Sequence, residues 1–120
     1  MNLTKYITDL TDEHLQLLTA AFTMAENAGN IHLKYFRKAG LEQSTKLNDS
    51  DVVTTADKEA ETSILDFIHR HFPSHGIISE ESGREHDERE WRWVVDPLDG
   101  TTNFAMGLPA FCVSIALEHN

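Results

Sequence analysis

The stretch that decides the fold spans residues 93–104 and reads Trp93-Val94-Val95-Asp96-Pro97-Leu98-Asp99-Gly100-Thr101-Thr102-Asn103-Phe104. An apolar, β-prone run leads into Asp96, and Pro97 disfavours helical backbone at the aspartate before it. The strand is therefore predicted to end at Asp96, with an extended backbone at this residue and a carboxylate that is accessible and not buried. Asp99 follows within a tight turn, close enough to share a ligand with Asp96, and Gly100 permits a left-handed backbone.

The residues after this turn favour an anion site. If Thr101, Thr102 and Asn103 open a helical turn, their free N–H groups point outward and can bind a phosphate. Two carboxylates beside such a cradle form the arrangement in which a divalent cation bridges protein and phosphate oxygens. An ordinary strand followed by an Asp-Gly turn and a threonine cap is the alternative, since short turn motifs occur in many folds.

Two adjacent glutamates, Glu80 and Glu81, follow the short apolar run Gly76–Ser79. Open α/β layers place their ligand sites at the carboxyl ends of strands, and neighbouring residues of a strand face opposite ways. We therefore assign Glu80 to a metal and Glu81 to a supporting position beside it, with plain loop charge as the other interpretation. The charged stretch 84–90 is predicted to be a solvated loop.

Two helices are predicted upstream of these strands. Apolar residues at helical spacing indicate a long amphipathic helix over residues 12–39, with Thr11 or Asp12 as its N-cap and Gly40 as its C-cap. Its apolar residues are Leu15, Leu18, Phe22, Ala25, Ile31, Tyr35 and Phe36.

The second helix is predicted to begin after a polar loop at residues 48–51, with Thr54 or Thr55 as its cap and Pro73 at its end. That start places Asp57 in the first turn, where a carboxylate stabilises the helix dipole, and this is the plain interpretation of Asp57. The predicted buried stripe comprises Ile64, Phe67, Ile68 and His71.

A last strand is predicted over residues 111–117, where bulky side chains alternate with smaller ones. The sequence then reaches a turn signal at Asn120, which suggests a hairpin interrupted there. Trp91 and Trp93 share one face of their strand, where core packing is favoured over the stacking of a ligand.

Composition narrows the classes of function. The 120 residues carry 20 Asp and Glu against 10 Lys and Arg, a net charge of −10, which argues against binding a nucleic acid backbone. No apolar run approaches the roughly 20 residues that a membrane span needs, and no leader-like segment opens the sequence, so we expect a cytoplasmic protein. Cys112 is the only cysteine, which excludes an internal disulfide and a multi-cysteine zinc site.

Three motifs together resemble the inositol monophosphatase family of magnesium-dependent, lithium-sensitive phosphatases. They are residues 96–104, the pair Glu80-Glu81 and residues 53–57, and they match that family in type, order and spacing. The resemblance also implies that Lys46 lies near the loop that completes the site. It implies that Glu80, Asp96 and the Leu98 carbonyl hold one Mg²⁺, that Asp96 and Asp99 hold a second, and that Glu80 helps to hold a third through water. It also implies that the Gly100 and Thr101 amides bind phosphate and that Asp57 and Thr101 orient the attacking water.

The resemblance further implies a layered α/β (α+β) fold, in which residues 1–120 form the N-terminal half of a sugar-phosphatase domain with helices packed on a mainly antiparallel sheet. The implied reaction is Mg²⁺-dependent hydrolysis of a phosphomonoester, with inositol monophosphate as the leading substrate. Histidinol phosphate, fructose 1,6-bisphosphate and 3′-phosphoadenosine 5′-phosphate are alternatives, and so is a non-catalytic metal-binding fragment. The expected partners are a small phosphorylated polyol or sugar and, at full length, a second copy of the protein, with neither nucleic acid nor membrane.

Overall fold

The computed structural model describes residues 10–38 and 49–120. Two long helices precede a sheet of four strands and one short helix, which confirms the predicted layered fold class. In chain order the elements are α1 (Asp12–Tyr35), α2 (Asp49–His71), β1 (Gly76–Ser79), β2 (Gly83–Glu85), β3 (Trp91–Asp99), α3 (Thr101–Ala105) and β4 (Cys112–His119). Within the described ranges, no helix is long and apolar enough to cross a membrane.

Local chemistry sets both ends of α1. Thr11 is the N-cap, as predicted, because its Oγ1 accepts a hydrogen bond from the His14 backbone N–H at 3.2 Å. The helix ends at Tyr35, a few residues before its predicted end, and Arg37 then takes a left-handed backbone with a φ of 61° that a helix cannot continue. The predicted C-cap, Gly40, lies outside the described residues.

The face of α1 that packs against the core differs from the predicted apolar stripe. Three residues of that stripe are exposed: Leu15 at 44%, Leu18 at 38% and Phe22 at 66%. Alanines occupy two of the five buried positions of α1, where small side chains allow close approach of neighbouring elements. Its buried residues are Leu17, Ala20, Met24, Ala28 and His32. Leu18 instead lines an apolar groove of about 450 Å³ beside β3 and β4.

The helix α2 begins earlier than predicted. The predicted polar loop is wrong over residues 49–51, because the chain is helical from Asp49 onward, and residue 48 lies outside the described residues. The predicted caps Thr54 and Thr55 therefore lie inside the helix. Asp57 also lies in the interior of α2, so its predicted place in the positive first turn is wrong as well.

Packing explains this early start. Val52 and Ala56 are 5% and 0% exposed and pack with Leu98 and Phe104 in a small core cluster. Burial of an apolar helix face stabilises the helix more than local capping preferences do. The first turns of α2 are thereby joined to the segment that carries Asp96 and Asp99.

The predicted buried stripe of α2 is confirmed in its central part. Ile64 and Ile68 are both 0% exposed, and Phe67 is half-buried against the main core. His71 is exposed, contrary to the prediction, and its ring contacts Phe67. It lies in the last turn of the helix, where the negative end of the helix dipole favours a histidine side chain that remains exposed to water.

The strands form one sheet in the order β2-β1-β3-β4. The central pair β1 and β3 is parallel and the two outer pairs are antiparallel, so the sheet is mainly antiparallel, as predicted. The strand β2 includes residues 84 and 85, which were predicted to lie in a loop, so the prediction is wrong there, whereas residues 86–90 form turns and bends, as predicted. The backbone of β2 pairs with β1 while its side chains remain exposed, so a charge pattern alone does not reveal it. Trp93 is 1% exposed, in agreement with its predicted core role.

Candidate functional site

The parallel pairing of β1 and β3 brings two carboxylates together. Ser79 pairs with Val95, so the residues that follow, Glu80 and Asp96, leave the paired strands at the same edge. The Glu80 backbone N–H donates to the Val95 carbonyl at 3.0 Å, which extends the ladder by one step. Because the Glu80 carboxyl is hydrogen-bonded to Asp96 and lies close to its charge, the pKa of Glu80 is raised. The predicted motif Glu80-Glu81 and the predicted motif at residues 96–104 are thus adjacent in the fold.

The carboxylate of Asp96 is held by its own turn. Its Oδ1 accepts a hydrogen bond from the Leu98 backbone N–H at 3.3 Å, while Pro97 and Leu98 are buried. The strand does not end at Asp96, contrary to the prediction, because it pairs with β4 again at Asp99 after an irregular step. This irregularity allows a turn inside an otherwise extended strand. The buried Pro97 and Leu98 anchor the turn, and the carboxylates of Asp96 and Asp99 lie on either side of them.

Gly100 begins the predicted helical turn. Its φ of 88° is left-handed, and α3 starts immediately after it. The Gly100 carbonyl accepts from the Phe104 N–H at 2.9 Å, and Phe104 is only 3% exposed, which anchors this short helix. Thr101 and Thr102 are exposed at its start. Their backbone N–H groups come too early in the helix to have intrahelical partners, so they can donate to an anion.

We expect Gly100→Ala to destabilise the fold by about 3 kcal/mol, since it combines left-handed strain with a steric clash. A Cβ at this position would lie 2.8 Å from the Ala110 carbonyl oxygen. Gly83→Ala is the matched control, because Gly83 has a φ of +84° but a Cβ added there would meet no atom within 4 Å. It should cost about 1 kcal/mol. Denaturant unfolding measures both losses, and equal values would contradict the steric part.

Asp57 reaches the same carboxylates from α2. The residue is 7% exposed, and its Oδ1 is buried without a hydrogen-bond partner. Burial, reinforced by the charge and hydrogen bond of Glu81 and by the charges of Asp96 and Glu61, raises the pKa of Asp57 to about 7. A buried carboxylate oxygen without a partner, set among negative charges, is unfavourable by itself, and a cation placed beside it removes that cost.

We expect Asp57→Asn to stabilise the metal-free chain by about 1 to 2 kcal/mol near pH 8 and by little near pH 4. The pKa of Asp57 in the folded chain, about 7, lies above its ordinary value of 3.8. The folded state therefore binds the extra proton, and the wild type loses stability as pH rises through this window. The variant lacks this titration. Denaturation in the presence of EDTA measures the difference at both pH values.

The matched control for this prediction is Asp66→Asn, which removes an exposed carboxylate from the same helix. It should show no comparable dependence on pH. Burial lowers the pKa of His32, which makes stability rise with pH, but this contribution is common to all three proteins and cancels in the comparison. A gain for Asp57→Asn that is the same near pH 4 and near pH 8 would contradict the prediction.

The donor set suits a hard divalent cation. Carboxylates and backbone carbonyl oxygens are the protein ligands that Mg²⁺ prefers. In residues 10–38 and 49–120, no three His, Cys, Asp or Glu side chains stand together as a complete metal site. The carboxyl groups meet in pairs instead, Glu80 with Asp96 and Asp57 with Glu81. The unpartnered Oδ1 of Asp57 is the atom that fits a cation as its neighbour.

Two contacts that support the site were not predicted. Ser79 Oγ donates to Glu61 Oε2 at 2.6 Å, which ties the end of β1 to α2. His32 Nε2 lies 2.7 Å from the Pro97 carbonyl oxygen. Helical spacing puts His32 on the same face of α1 as Met24 and Ala28. The sequence does not decide which face of α1 is buried, and no pattern in it indicates the partner of His32. Lys46, which was predicted near the site, lies outside the described residues.

Curated relatives match most of the chain. The Nus factor SuhB of Pasteurella multocida is 44% identical over 103 residues, which are 85% of this chain and 39% of that protein. The Nus factor SuhB of Escherichia coli K12 is 43% identical over the same shares of the two chains. The chain therefore spans about 39% of the length of these relatives.

Solved structures and the profile of one protein family also match most of the chain. The inositol monophosphatase from Anabaena is 40% identical with a TM-score of 0.72, covering 88% of this chain and 36% of that one. The extragenic suppressor protein suhB from Bartonella henselae is 34% identical with a TM-score of 0.73, covering 87% of this chain and 39% of that one. The profile of the inositol monophosphatase family matches residues 13–120. The chain therefore belongs to the inositol monophosphatase family, as its three motifs predicted.

Proposed function

We propose that this chain forms the metal- and phosphate-binding half of a Mg²⁺-dependent phosphomonoesterase whose leading substrate is inositol monophosphate. Family membership supports the reaction class. The observation that carries the proposal is the buried, unpartnered Oδ1 of Asp57, which lies close to the carboxylates of Glu81, Asp96 and Glu61. Such a cluster is unfavourable alone and becomes favourable when it binds a divalent cation.

Each carboxylate has a role in this proposal. Glu80, Asp96 and the Leu98 carbonyl would hold one Mg²⁺, and Asp96 and Asp99 would share a second. When bound, such ions polarise the phosphate, lower the pKa of water and stabilise the leaving alkoxide. Glu81 would support Asp57, whose carboxyl it already contacts by a hydrogen bond.

The remaining roles belong to the segment that starts α3 and to Asp57. The backbone N–H groups of Gly100, Thr101 and Thr102 would donate to phosphate oxygens, which holds the ester in place. The Asp57 carboxylate and the Thr101 hydroxyl would orient one water molecule toward phosphorus. That water attacks as the bond from phosphorus to the alcohol oxygen breaks, the alcohol leaves with a proton, and inorganic phosphate remains. The protein forms no covalent bond to phosphate.

The test is release of inorganic phosphate from inositol 1-phosphate in the presence of Mg²⁺. It is run on this chain and, where the coding sequence continues in frame, on the correspondingly extended form. Histidinol phosphate, fructose 1,6-bisphosphate and 3′-phosphoadenosine 5′-phosphate serve as competing substrates, and Li⁺ serves as the inhibitor. Faster release from inositol 1-phosphate than from the others, with inhibition by Li⁺, is the expected result.

Other outcomes separate the alternatives. Preference for one of the three competing esters would keep the reaction class and change the substrate. Mg²⁺ binding without phosphate release by either form would favour a non-catalytic metal-binding protein. Phosphate release that is insensitive to EDTA would contradict the metal requirement itself.

A further inference from the structure

His32 is a polar residue on the otherwise apolar buried face of α1, and it is 2% exposed. Its ring packs edge-on against Phe104 and Phe111, with ring centroids 6.3 and 5.8 Å away. These contacts fix the plane of the imidazole. Its Nε2 then lies 2.7 Å from the carbonyl oxygen of Pro97, in the turn between Asp96 and Asp99.

The direction of this hydrogen bond follows from its acceptor. A carbonyl oxygen only accepts, so Nε2 of His32 must carry the proton. Burial lowers the pKa of His32 by more than the hydrogen bond to Pro97 raises it, so the ring is neutral near pH 7. His32 is therefore a neutral donor with its proton on Nε2.

The peptide unit between Pro97 and Leu98 is held at both ends. Its carbonyl oxygen accepts from His32 at 2.7 Å, and its N–H donates to Asp96 Oδ1 at 3.3 Å. Because a peptide unit is planar, a hydrogen bond that fixes its oxygen also fixes the direction of its N–H. Hydrogen bonds at the two ends of one amide also strengthen each other. One peptide group therefore connects the His32 imidazole to the Asp96 carboxylate, with a hydrogen bond at each of its two ends.

We infer that His32 is a positioning residue for the metal site, because it orients the Asp96 carboxylate by holding the Pro97–Leu98 peptide. The inference rests on the proposed function, in which Asp96 is the ligand shared by both metal positions. The Leu98 carbonyl, another ligand in that proposal, belongs to the next peptide unit. A rotation of the Pro97–Leu98 unit therefore changes the direction of two ligands.

A purely structural role is the alternative, in which His32 only satisfies a carbonyl next to an aromatic cluster. The two roles differ in their consequences. If the role is purely structural, removal of His32 lowers the free energy of unfolding and has no other effect. If His32 is a positioning residue, its removal also loosens the hydrogen bond from the Leu98 N–H and weakens metal binding in a chain that remains folded.

The test compares three variants of the 120-residue chain. His32→Leu removes the donor, whereas His32→Gln retains a side-chain N–H that can donate to the same carbonyl. Met24→Ala is the control for lost stability, because Met24 is 1% exposed on the same helix and packs in the other core cluster. Hydrogen exchange of the Leu98 amide is measured by NMR without metal, and Mn²⁺ affinity is measured by titration calorimetry.

We expect His32→Leu to speed exchange of the Leu98 amide about tenfold beyond the general acceleration of other amides, and to weaken Mn²⁺ binding about tenfold. His32→Gln should stay close to wild type in both measurements. Met24→Ala should accelerate exchange generally without a specific effect at Leu98 and should keep the wild-type Mn²⁺ affinity. Leu98 exchange that merely follows the other amides in His32→Leu, or an unchanged Mn²⁺ affinity, would overturn the inference.

Failure of the inference can be told apart from failure of the proposed function. If the wild type binds no Mn²⁺, or if Asp96→Asn binds it as tightly as the wild type, the proposed metal site is wrong. The Leu98 exchange rates, measured without metal, then still decide whether His32 holds the turn. If Asp96→Asn loses Mn²⁺ binding and His32→Leu does not, only the role of His32 is wrong.

Discussion

The Asp96→Asn variant is expected to show no rise in melting temperature when Mg²⁺ or Mn²⁺ is added, whereas the wild-type chain is stabilised. Asp96 lies between Glu80 and the turn that carries Asp99, which makes it the carboxylate common to both proposed metal positions. Asparagine keeps the shape and one oxygen but removes the charge on which a hard cation depends. At about 100 times the Kd, the wild type gains about 2.7 kcal/mol by mass action, and the variant gains close to none.

Two comparisons make this result interpretable. Asp87→Asn removes a carboxylate that pairs with Arg84 at 3.0 Å, away from the site, and should keep the full metal-induced shift. Without metal, Asp96→Asn should melt no lower than the wild type, because the neutral side chain relieves repulsion from Glu80 and its oxygen can still accept from the Leu98 N–H. Differential scanning fluorimetry measures both. Equal metal-induced shifts in Asp96→Asn and the wild type would refute Asp96 as a ligand.

The turn that carries the candidate site could be predicted in part, because its determinants are local. Pro97 restricts the residue before it, and Gly100 is needed for a left-handed backbone at the start of α3. This short turn, with its strong backbone preferences, thus carries its structure in its own sequence. Glu80 follows an apolar strand directly, but it lies beside Asp96 because that strand pairs in parallel with β3, and this pairing was not predicted.

The parts that could not be predicted depend on contacts that are distant in the sequence. The start of α2 is set by burial of Val52 and Ala56 against Leu98 and Phe104, which outweighs the capping signal of the threonines. The face of α1 that is buried depends on which neighbouring elements it meets, and a helix with apolar residues on two sides permits either choice. The hydrogen bond from His32 joins residues 65 positions apart, and nothing local to either residue encodes it.

In any form of the protein that releases phosphate, Thr101→Ala is expected to lower kcat by about 100-fold or more and to change KM little. Thr101 is exposed at the first position of α3, next to Gly100, so its hydroxyl can reach a water molecule at the site. Alanine removes this hydroxyl but keeps the backbone N–H that would bind phosphate. The decrease in kcat therefore reflects a slower attack of water on phosphorus. Steady-state phosphate release over a range of substrate concentrations separates the two constants.

Two further variants decide whether the hydroxyl is the cause. Thr101→Ser keeps the hydroxyl and loses only a methyl group, so it should retain most of the wild-type kcat. Thr62→Ala makes the same chemical change at an exposed position of α2 and should leave both constants unchanged. The opposite pattern for Thr101→Ala, an unchanged kcat with a raised KM, would make Thr101 a substrate-binding residue. In the proposed mechanism, orientation of the water would then rest on Asp57 alone.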